Sequence, residues 1–228
     1  MLLAAGRGER MRPLSDEMPK PLLSVAGRPL IVRQLERLRQ AGVVEVVINH
    51  AHLGGLIEAA LGSGSAWGMQ IRYSPEGEAL GTAGGVARAL PLLGPEPFLL
   101  VSADLYCDYD YRKLLAAAPA MRAQGRGRLA HLVMVDNPQH HPRGDFALRD
   151  GQLFLTGGAR LNYGNIGLYQ PALFAGLPAN RQAELGPLLR SAILAGRVSG
   201  EKFFGRWVNV GTPEQLAGLN AELAPDAC

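Results

Sequence analysis

The sequence predicts an α/β protein with a Rossmann-like sheet that is mixed but mainly parallel and flanked by helices. Short apolar runs alternate with helical patterns from the N-terminus to about Asp104. Continuously apolar runs are typical of parallel strands that helices cover on both faces. After Arg128 strand-like segments dominate, so we expect a partly antiparallel second half that completes the same sheet.

The first half contains four candidate strands, each with turn or helix signals after it. The candidate strands are LLAA, VEVVINH, QIRYSPE and FLLVSAD. The candidate helices are PLIVRQLERLRQAG, LGGLIEAAL and TAGGVARALPLL. In the first helix, apolar residues recur at helical spacing and Gly42 is a stop signal.

The second half is predicted to contribute more strands than helices. Its candidate strands are HLVMVDN, DFALRDGQLFL, YGNIGLYQ and FFGRWVNV, and its late helices are GPLLRSAILAG and PEQLAGLNAEL. A chain of 228 residues with no long linker is expected to form a single domain, residues 1–228.

Composition excludes several functional classes. The chain is 47% hydrophobic and 19% charged, which indicates a folded domain rather than disorder. A net charge of +3 without a Lys/Arg run argues against nucleic-acid binding. No apolar stretch reaches the roughly 18–20 residues that span a bilayer, and no signal peptide is recognisable. We expect a cytoplasmic monomer or homodimer with reduced thiols at Cys107 and Cys228, and the apolar start suggests that residues are missing before Met1.

The segment GRGER follows the first candidate strand and suggests a phosphate site. Gly6 and Gly8 would let backbone N–H groups approach phosphates. It is not a Rossmann fingerprint, because Met11 stands where the third glycine would be, and it is not a P-loop. Alone, the pattern is as compatible with a plain turn.

Two cations follow within a short span and strengthen the phosphate interpretation. Arg10 ends the glycine segment, and Lys20 lies between Pro19 and Pro21. The prolines fix the backbone around the lysine. A rigidly presented lysine is suited to stabilising charge on a phosphoryl transition state, whereas a solvated loop lysine is the ordinary alternative.

Two further segments carry candidate ligand contacts. In SPEGEALGTAGG, four glycines surround Thr82 at a strand-to-helix junction and would permit close approach of a flat ligand. In LLVSADLY, Ser102 and Asp104 lie at the carboxyl end of a buried strand, where open α/β sheets bind ligands. Asp104 is a candidate Mg²⁺ ligand, or else a residue that caps the following turn.

The combined string GxGxR…PKPLxxxxGxPL resembles the signature of the sugar-1-phosphate nucleotidylyltransferases, and the resemblance covers nearly the whole chain. It implies a nucleotide-diphospho-sugar transferase fold, with a nucleotide-binding half over about 1–110 and a sugar- and metal-binding half over about 111–228. It implies that an NTP, expected to be UTP, reacts with a sugar 1-phosphate and releases pyrophosphate. The expected sugar is N-acetylmuramic acid 1-phosphate, for peptidoglycan recycling; another hexose or heptose 1-phosphate is the alternative.

The resemblance also assigns site residues. Arg10 and Lys20 are implied to be catalytic. The implied nucleotide-binding residues are Ala4, Ala5, Gly6, Gly8, Glu9, Arg10, Lys20, Glu76, Gly81, Thr82 and Ser102. Glu76 is expected to accept the N3–H of uracil. Asp104 and Asn209 are implied to hold Mg²⁺, or Mn²⁺, and Gly144 and Asn165 to contact the sugar.

Asn209 departs from the family pattern, which has an aspartate at this position. An amide oxygen can coordinate Mg²⁺ but adds no charge, so we expect weaker metal binding. The asparagine is compatible with an enzyme that holds its metal loosely, with natural drift or with an introduced trap of the nucleotide complex; we favour the first two together. A non-catalytic nucleotide-binding relative is the second hypothesis. The acidic residue expected against the sugar is not visible in GQLFLTGGARL.

Overall fold

A computed structural model describes residues 1–123 and 127–224 of the chain; Cys228 lies outside them. The strands are β1 (Leu2–Leu3), β2 (Ser24–Val25), β3 (Arg28–Pro29), β4 (Glu45–His50), β5 (Gln70–Pro75), β6 (Phe98–Ser102), β7 (Leu105–Cys107), β8 (Ala130–Val135), β9 (Phe146–Arg149), β10 (Gln152–Phe154), β11 (Arg160–Tyr169), β12 (Val198–Lys202) and β13 (Trp207–Asn209). The α-helices are α1 (Leu14–Glu17), α2 (Leu30–Gln40), α3 (Gly54–Leu61), α4 (Gly81–Leu93), α5 (Arg112–Ala123), α6 (Leu185–Leu194) and α7 (Pro213–Leu223).

Nine of these strands form one sheet in the order β5-β4-β1-β6-β11-β8-β12-β10-β9. Strands β5, β4, β1 and β6 are parallel neighbours, and β12 is parallel to β8. Only β10 and β11 run against the common direction within this sheet. The prediction of a mixed, mainly parallel sheet completed by the second half is therefore confirmed.

Helices cover both faces of this sheet, as the continuously apolar strands predict. On one face α2, α3 and α5 pack through buried residues such as Leu35, Ile57 and Leu114. On the other face α4 and α6 pack through residues such as Val86 and Leu189. Successive residues of β6 point to opposite faces, so each contributes to one of the two cores. The two cores fix the strand ends that carry the site.

Six elements were not predicted, and one predicted strand lies elsewhere. Helix α5 contains Pro119, a residue that ordinarily argues against a helix interior. Strands β2, β3, β7 and β12 and the short helix α1 were also missed. Strand β13, expected in the main sheet, instead pairs with β7 in a separate two-stranded ribbon, because the chain turns out of the sheet directly after Asp104. The ribbon brings the segment around Asn209 back to the end of β6.

A small third hydrophobic core supports this ribbon and the β2–β3 hairpin. Helix α7 packs through Leu219 against Val25, Leu30 and Val210. Thr212 caps α7: its side chain accepts from the Gln215 amide, and the Gln215 side chain bonds back to the Thr212 amide. The short segment between Asn209 and α7 is thereby held by the packing of Val210 at one end and by the Thr212 cap at the other. None of the helices in residues 1–123 and 127–224 has the length and apolar composition that crossing a membrane requires.

Candidate active site

A continuous cleft runs along the carboxyl ends of β1, β4 and β6, where open α/β sheets bind ligands. It consists of three adjoining cavities, and Leu3 at the end of β1 lines all of them. We name them by their walls. The cationic cavity, of about 200 Å³, is lined by residues that include Gly6, Gly8, Arg10, Lys20 and Asp104. The central cavity, also about 200 Å³, is lined by residues that include Ala5, Gly6, Glu76, Gly81 and Thr82. The amide cavity, of about 270 Å³, is lined by residues that include Asp145, Asn162, Asn165, Glu184 and Arg190.

The glycine loop after β1 is held in shape by its own side chains. Gly8 adopts a left-handed backbone conformation with φ of 68°, which a glycine takes without strain. The Ser15 hydroxyl donates to the Gly8 carbonyl at 2.7 Å. Arg7, between the two glycines, donates to the Ser15 carbonyl at 2.9 Å and to the Asp16 carboxylate at 2.7 Å. Arg7 therefore braces the loop, and Arg10 is the arginine of this segment that faces the cavity.

The structure brings the predicted cations together with Asp104. The Lys20 ammonium donates to the Asp104 carboxylate, and both side chains are largely buried. The Arg10 guanidinium lines the same cavity and lies beside Gly211, since a Cβ at Gly211 would be 3.3 Å from Arg10 Nη2. Glu9 is exposed and is not among the residues that line the cationic cavity. The arrangement offers two cationic side chains to a polyanion in one cavity.

Asp104 and Asn209 each present a buried oxygen atom that has no hydrogen-bond partner within the described part of the chain. The β7–β13 ribbon brings their backbones together: Asn209 pairs with Leu105, and the Val210 amide donates to the Asp104 carbonyl at 3.2 Å. Buried oxygens without donors are the ligand type that hard divalent cations take. In the described residues no group of three or more His, Cys, Asp or Glu could hold a metal alone. Two oxygens plus ligand phosphates match the way Mg²⁺ is usually bound.

Glu76 is held by the protein on both carboxylate oxygens. One accepts from Asn49 Nδ2 at 2.6 Å and the other from the Leu80 amide at 2.8 Å. The Asn49 side-chain oxygen accepts in turn from the Ala4 amide at 3.0 Å. Glu76 thus links the loop of the central cavity to the end of β1. A direct contact with a base would use the lone pairs of Glu76 that these bonds leave free.

Three of the four glycines around Thr82, namely Gly81, Gly84 and Gly85, make room for the protein itself. A Cβ at Gly81 would be 2.7 Å from the Ala183 carbonyl, and one at Gly85 would be 2.8 Å from Asn49 Nδ2 and closer still to Glu76. These glycines therefore have a packing role, and their predicted role in admitting a flat ligand stays a prediction. The Ala83 amide donates to the Ala183 carbonyl at 3.0 Å, so the segment before α6 is fastened to the start of α4. Thr82 and Ser102 line both the central and the amide cavity.

Asn165 lies in the amide cavity through an irregularity of β11. The pairing of β11 with β8 shifts register between Tyr163 and Gly167, and Asn165 in this interval has φ of 54°. An asparagine tolerates this conformation better than most residues, and the bulge turns its side chain toward the site.

Gly144 is buried, and the residue after it lines the amide cavity. Gly144 has φ of 59°, and a Cβ there would be 2.6 Å from Asn137 Oδ1. Asp145 accepts from the Tyr163 amide at 2.8 Å, and its other oxygen lies 3.1 Å from His141 Nε2. Close packing and the positive φ thus explain why residue 144 is a glycine. Asp145, held by these contacts, presents its carboxylate to the cavity.

Several residues of the cleft were not identified from the sequence: Asn49, Asp145, Asn162, Glu184 and Arg190. Asn49 had a usable signal, because it lies near the carboxyl end of a candidate strand. Asp145 directly follows Gly144, which the resemblance marked as a sugar contact. Glu184 and Arg190 come from the start of α6, and no local pattern marks them. Asp145 and Glu184 are the acidic residues among the described lining of the amide cavity, and no residue of the GQLFLTGGARL segment belongs to that lining.

The family model "Nucleotidyl transferase" matches residues 1–141. The chain is 50% identical to N-acetylmuramate alpha-1-phosphate uridylyltransferase of Neisseria meningitidis, over 97% of this chain and 96% of that protein. It is 34% identical to the protein of the same name from Caulobacter vibrioides, over 98% and 96% of the two chains.

Among solved structures, a Bacillus anthracis protein described as a glucose-1-phosphate thymidylyltransferase superposes with a TM-score of 0.82. The superposition covers 97% of this chain and 93% of that chain at 20% identity. At this identity the likeness establishes the fold, and it extends over the whole sheet rather than over the glycine loop alone.

Proposed function

The chain belongs to the nucleotidyl transferase family, and from that premise we propose that it transfers the uridylyl group of UTP to N-acetylmuramic acid 1-phosphate. The products are the UDP-sugar and pyrophosphate, which would serve peptidoglycan recycling. Half of the residues are identical to a uridylyltransferase with this substrate in its name, over almost the full length of both chains.

One structural observation carries the proposal. Arg10, Lys20 and Asp104, which come from two loops far apart in sequence, line a single cavity together with the glycine loop. This set of charges suits a triphosphate, and the presence of all three residues in one cavity argues against a non-catalytic relative.

The chemistry requires positioning and charge neutralisation rather than a general base. An oxygen of the sugar phosphate is already anionic, so it can attack the α-phosphorus without losing a proton. One P–O bond forms as the bond between the α-phosphorus and the bridging oxygen breaks, and pyrophosphate leaves with the electron pair. Lys20 would offset charge at the reacting phosphates, and Arg10 would offset charge on the leaving pyrophosphate.

Asp104 and Asn209 fit a divalent metal ion, because each has a buried oxygen without a donor. Mg²⁺ is the proposed ion, with Mn²⁺ as the substitute. When bound there it would neutralise phosphate charge and polarise the α-phosphate.

The remaining cavities suit the other parts of the substrates. The central cavity would take the base, against the loop that Glu76 braces and beside Gly81 and Thr82. The amide cavity would take the sugar, whose hydroxyl and acetamido groups can pair with Asn162 and Asn165. Because UTP is a cytoplasmic metabolite, we place the reaction in the cytoplasm.

The test is pyrophosphate release by the purified chain. UTP, CTP, GTP and dTTP are each combined with Mg²⁺ and the 1-phosphates of N-acetylmuramic acid, N-acetylglucosamine, glucose and mannose. We expect the highest kcat/KM for UTP with N-acetylmuramic acid 1-phosphate, and a product with the mass of the UDP-sugar. Asp104→Ala serves as the negative control. Release with a different pair would replace the proposed substrates, and release with none would overturn the activity.

A further inference from the structure

The amide cavity contains one guanidinium group, and the proposed nucleotidyl transfer does not use it. Arg190 lies on α6, one and a half turns from the start of the helix, and lines the cavity. Its side chain folds back toward the helix start, since a Cβ at Gly186 would be 3.3 Å from Arg190 Nη1. Glycine at 186 therefore leaves space for the guanidinium beside the cavity.

The protein gives this guanidinium no partner within residues 1–123 and 127–224. No ion pair or side-chain hydrogen bond of Arg190 occurs there, although many other arginines of the chain are paired, such as Arg7 with Asp16 and Arg206 with Glu222. Arg190 is also exposed, so its donors are available to a ligand.

The charges around Arg190 indicate that the cavity needs this arginine to bind an acidic ligand. Asp145 and Glu184 line the same cavity, and Arg190 is the one cationic residue among its described lining residues. Two carboxylates suit a neutral sugar, whose hydroxyl groups donate hydrogen bonds, but they repel a sugar that carries its own carboxylate. A planar guanidinium can bind a carboxylate through two parallel hydrogen bonds and offset that repulsion.

We propose that Arg190 binds the carboxylate of an acidic sugar 1-phosphate and selects this sugar over its neutral parent. The inference rests on the proposed function, because N-acetylmuramic acid differs from N-acetylglucosamine by a lactic acid ether on the 3-hydroxyl group, which bears a carboxylate. Arg190 acts on the sugar ring side of the cleft, apart from Arg10 and Lys20, which serve the triphosphate.

The experiment measures pyrophosphate release from UTP with three sugar phosphates: N-acetylmuramic acid 1-phosphate, the methyl ester of its lactyl carboxylate, and N-acetylglucosamine 1-phosphate. Arg190→Leu keeps the apolar stem and removes the charge. Arg190→Lys keeps the positive charge but loses the planar pair of N–H donors that can bind both carboxylate oxygens. Arg181→Leu is the matched control, because Arg181 is exposed in the segment before α6 and does not line the amide cavity.

We expect Arg190→Leu to lower kcat/KM for the acidic sugar by at least about tenfold, as for a lost charge-assisted hydrogen bond, through a higher KM for that substrate. The values for the methyl ester and for N-acetylglucosamine 1-phosphate, and the KM for UTP, should stay within about twofold. For Arg190→Lys, kcat/KM for the acidic sugar should lie between the values of wild type and Arg190→Leu. Arg181→Leu should behave as wild type.

The outcomes separate the two levels of the proposal. Wild-type turnover of N-acetylmuramic acid 1-phosphate with no change in Arg190→Leu would overturn the role of Arg190 alone, and so would an equal loss with all three sugar phosphates. Absence of turnover in the wild-type protein, with native circular dichroism, would overturn the proposed function and this inference with it.

Discussion

The Lys20 ammonium donates a hydrogen bond to the Asp104 carboxylate, although the two residues are 84 positions apart in the sequence. Each is assigned a partner of opposite charge in the proposed complex: Lys20 a phosphate group and Asp104 a divalent cation. Without ligands they neutralise each other in a largely buried site, which avoids leaving either charge unpaired. In the proposed complex, binding of the nucleotide and the ion would exchange this ion pair for two others.

Lys20→Met should lower kcat by a factor on the order of 10² or more, because a preorganised positive charge at the reacting phosphates is lost. Pyrophosphate release at saturating UTP and sugar phosphate measures the effect. Lys113→Met is the matched control, since Lys113 is exposed on α5 and distant from the cleft. A Lys20→Met protein with near wild-type kcat would refute the assigned role.

Asn209→Asp should tighten divalent metal binding by about tenfold or more. The change places a second carboxylate beside Asp104, and one added unit charge close to a divalent ion is worth more than about 1.4 kcal/mol even at an effective dielectric constant of about 20. Titration of Mn²⁺ followed by electron paramagnetic resonance, in the presence of UTP, gives the dissociation constant without reference to turnover.

The control for this substitution is Asp104→Asn, which removes the carboxylate and should weaken Mn²⁺ binding. Equal Mn²⁺ affinity in Asn209→Asp and wild type would show that residue 209 is not a ligand. It would leave the unpartnered oxygen of Asn209 without an explanation.

The sequence predicted the family, the sheet and most of its elements because their signals are local. Buried strands are apolar, helices show a 3.6-residue period, and the glycine and lysine segment is contiguous. The family membership and the fold were confirmed. The pairing of β13 with β7 and the placement of Glu184 and Arg190 depend on contacts between segments far apart in the chain, which no local period encodes. Glu76 illustrates the limit most clearly: its position in the cleft was predicted, but its bonds to Asn49 and Leu80 were not.

Glu76→Ala should lower the free energy of unfolding by about 2–3 kcal/mol, because Asn49 Nδ2 and the Leu80 amide both lose their acceptor. For a chain of this size the melting temperature should fall by about 4–12 °C. Thermal unfolding by circular dichroism measures the change. Glu78→Ala, an exposed glutamate in the same loop, is the control and should melt within about 2 °C of wild type. Wild-type stability in Glu76→Ala would contradict the bracing role.

Gly85→Ala tests whether the glycines of α4 serve packing. The added Cβ would overlap the Glu76 carboxylate and come within 2.8 Å of Asn49 Nδ2, so the pair must separate. We expect a loss of about 1–3 kcal/mol in unfolding free energy and a higher KM for UTP, since the same pair holds the Ala4 amide at the end of β1. Gly218→Ala is the matched control: Gly218 lies within α7 with open space around its Cβ position. That substitution should stabilise the chain by about 0.5–1 kcal/mol through helix propensity and leave the KM for UTP unchanged. If both alanine variants gained stability, the contact between Glu76 and α4 would not be the constraint that keeps residue 85 a glycine.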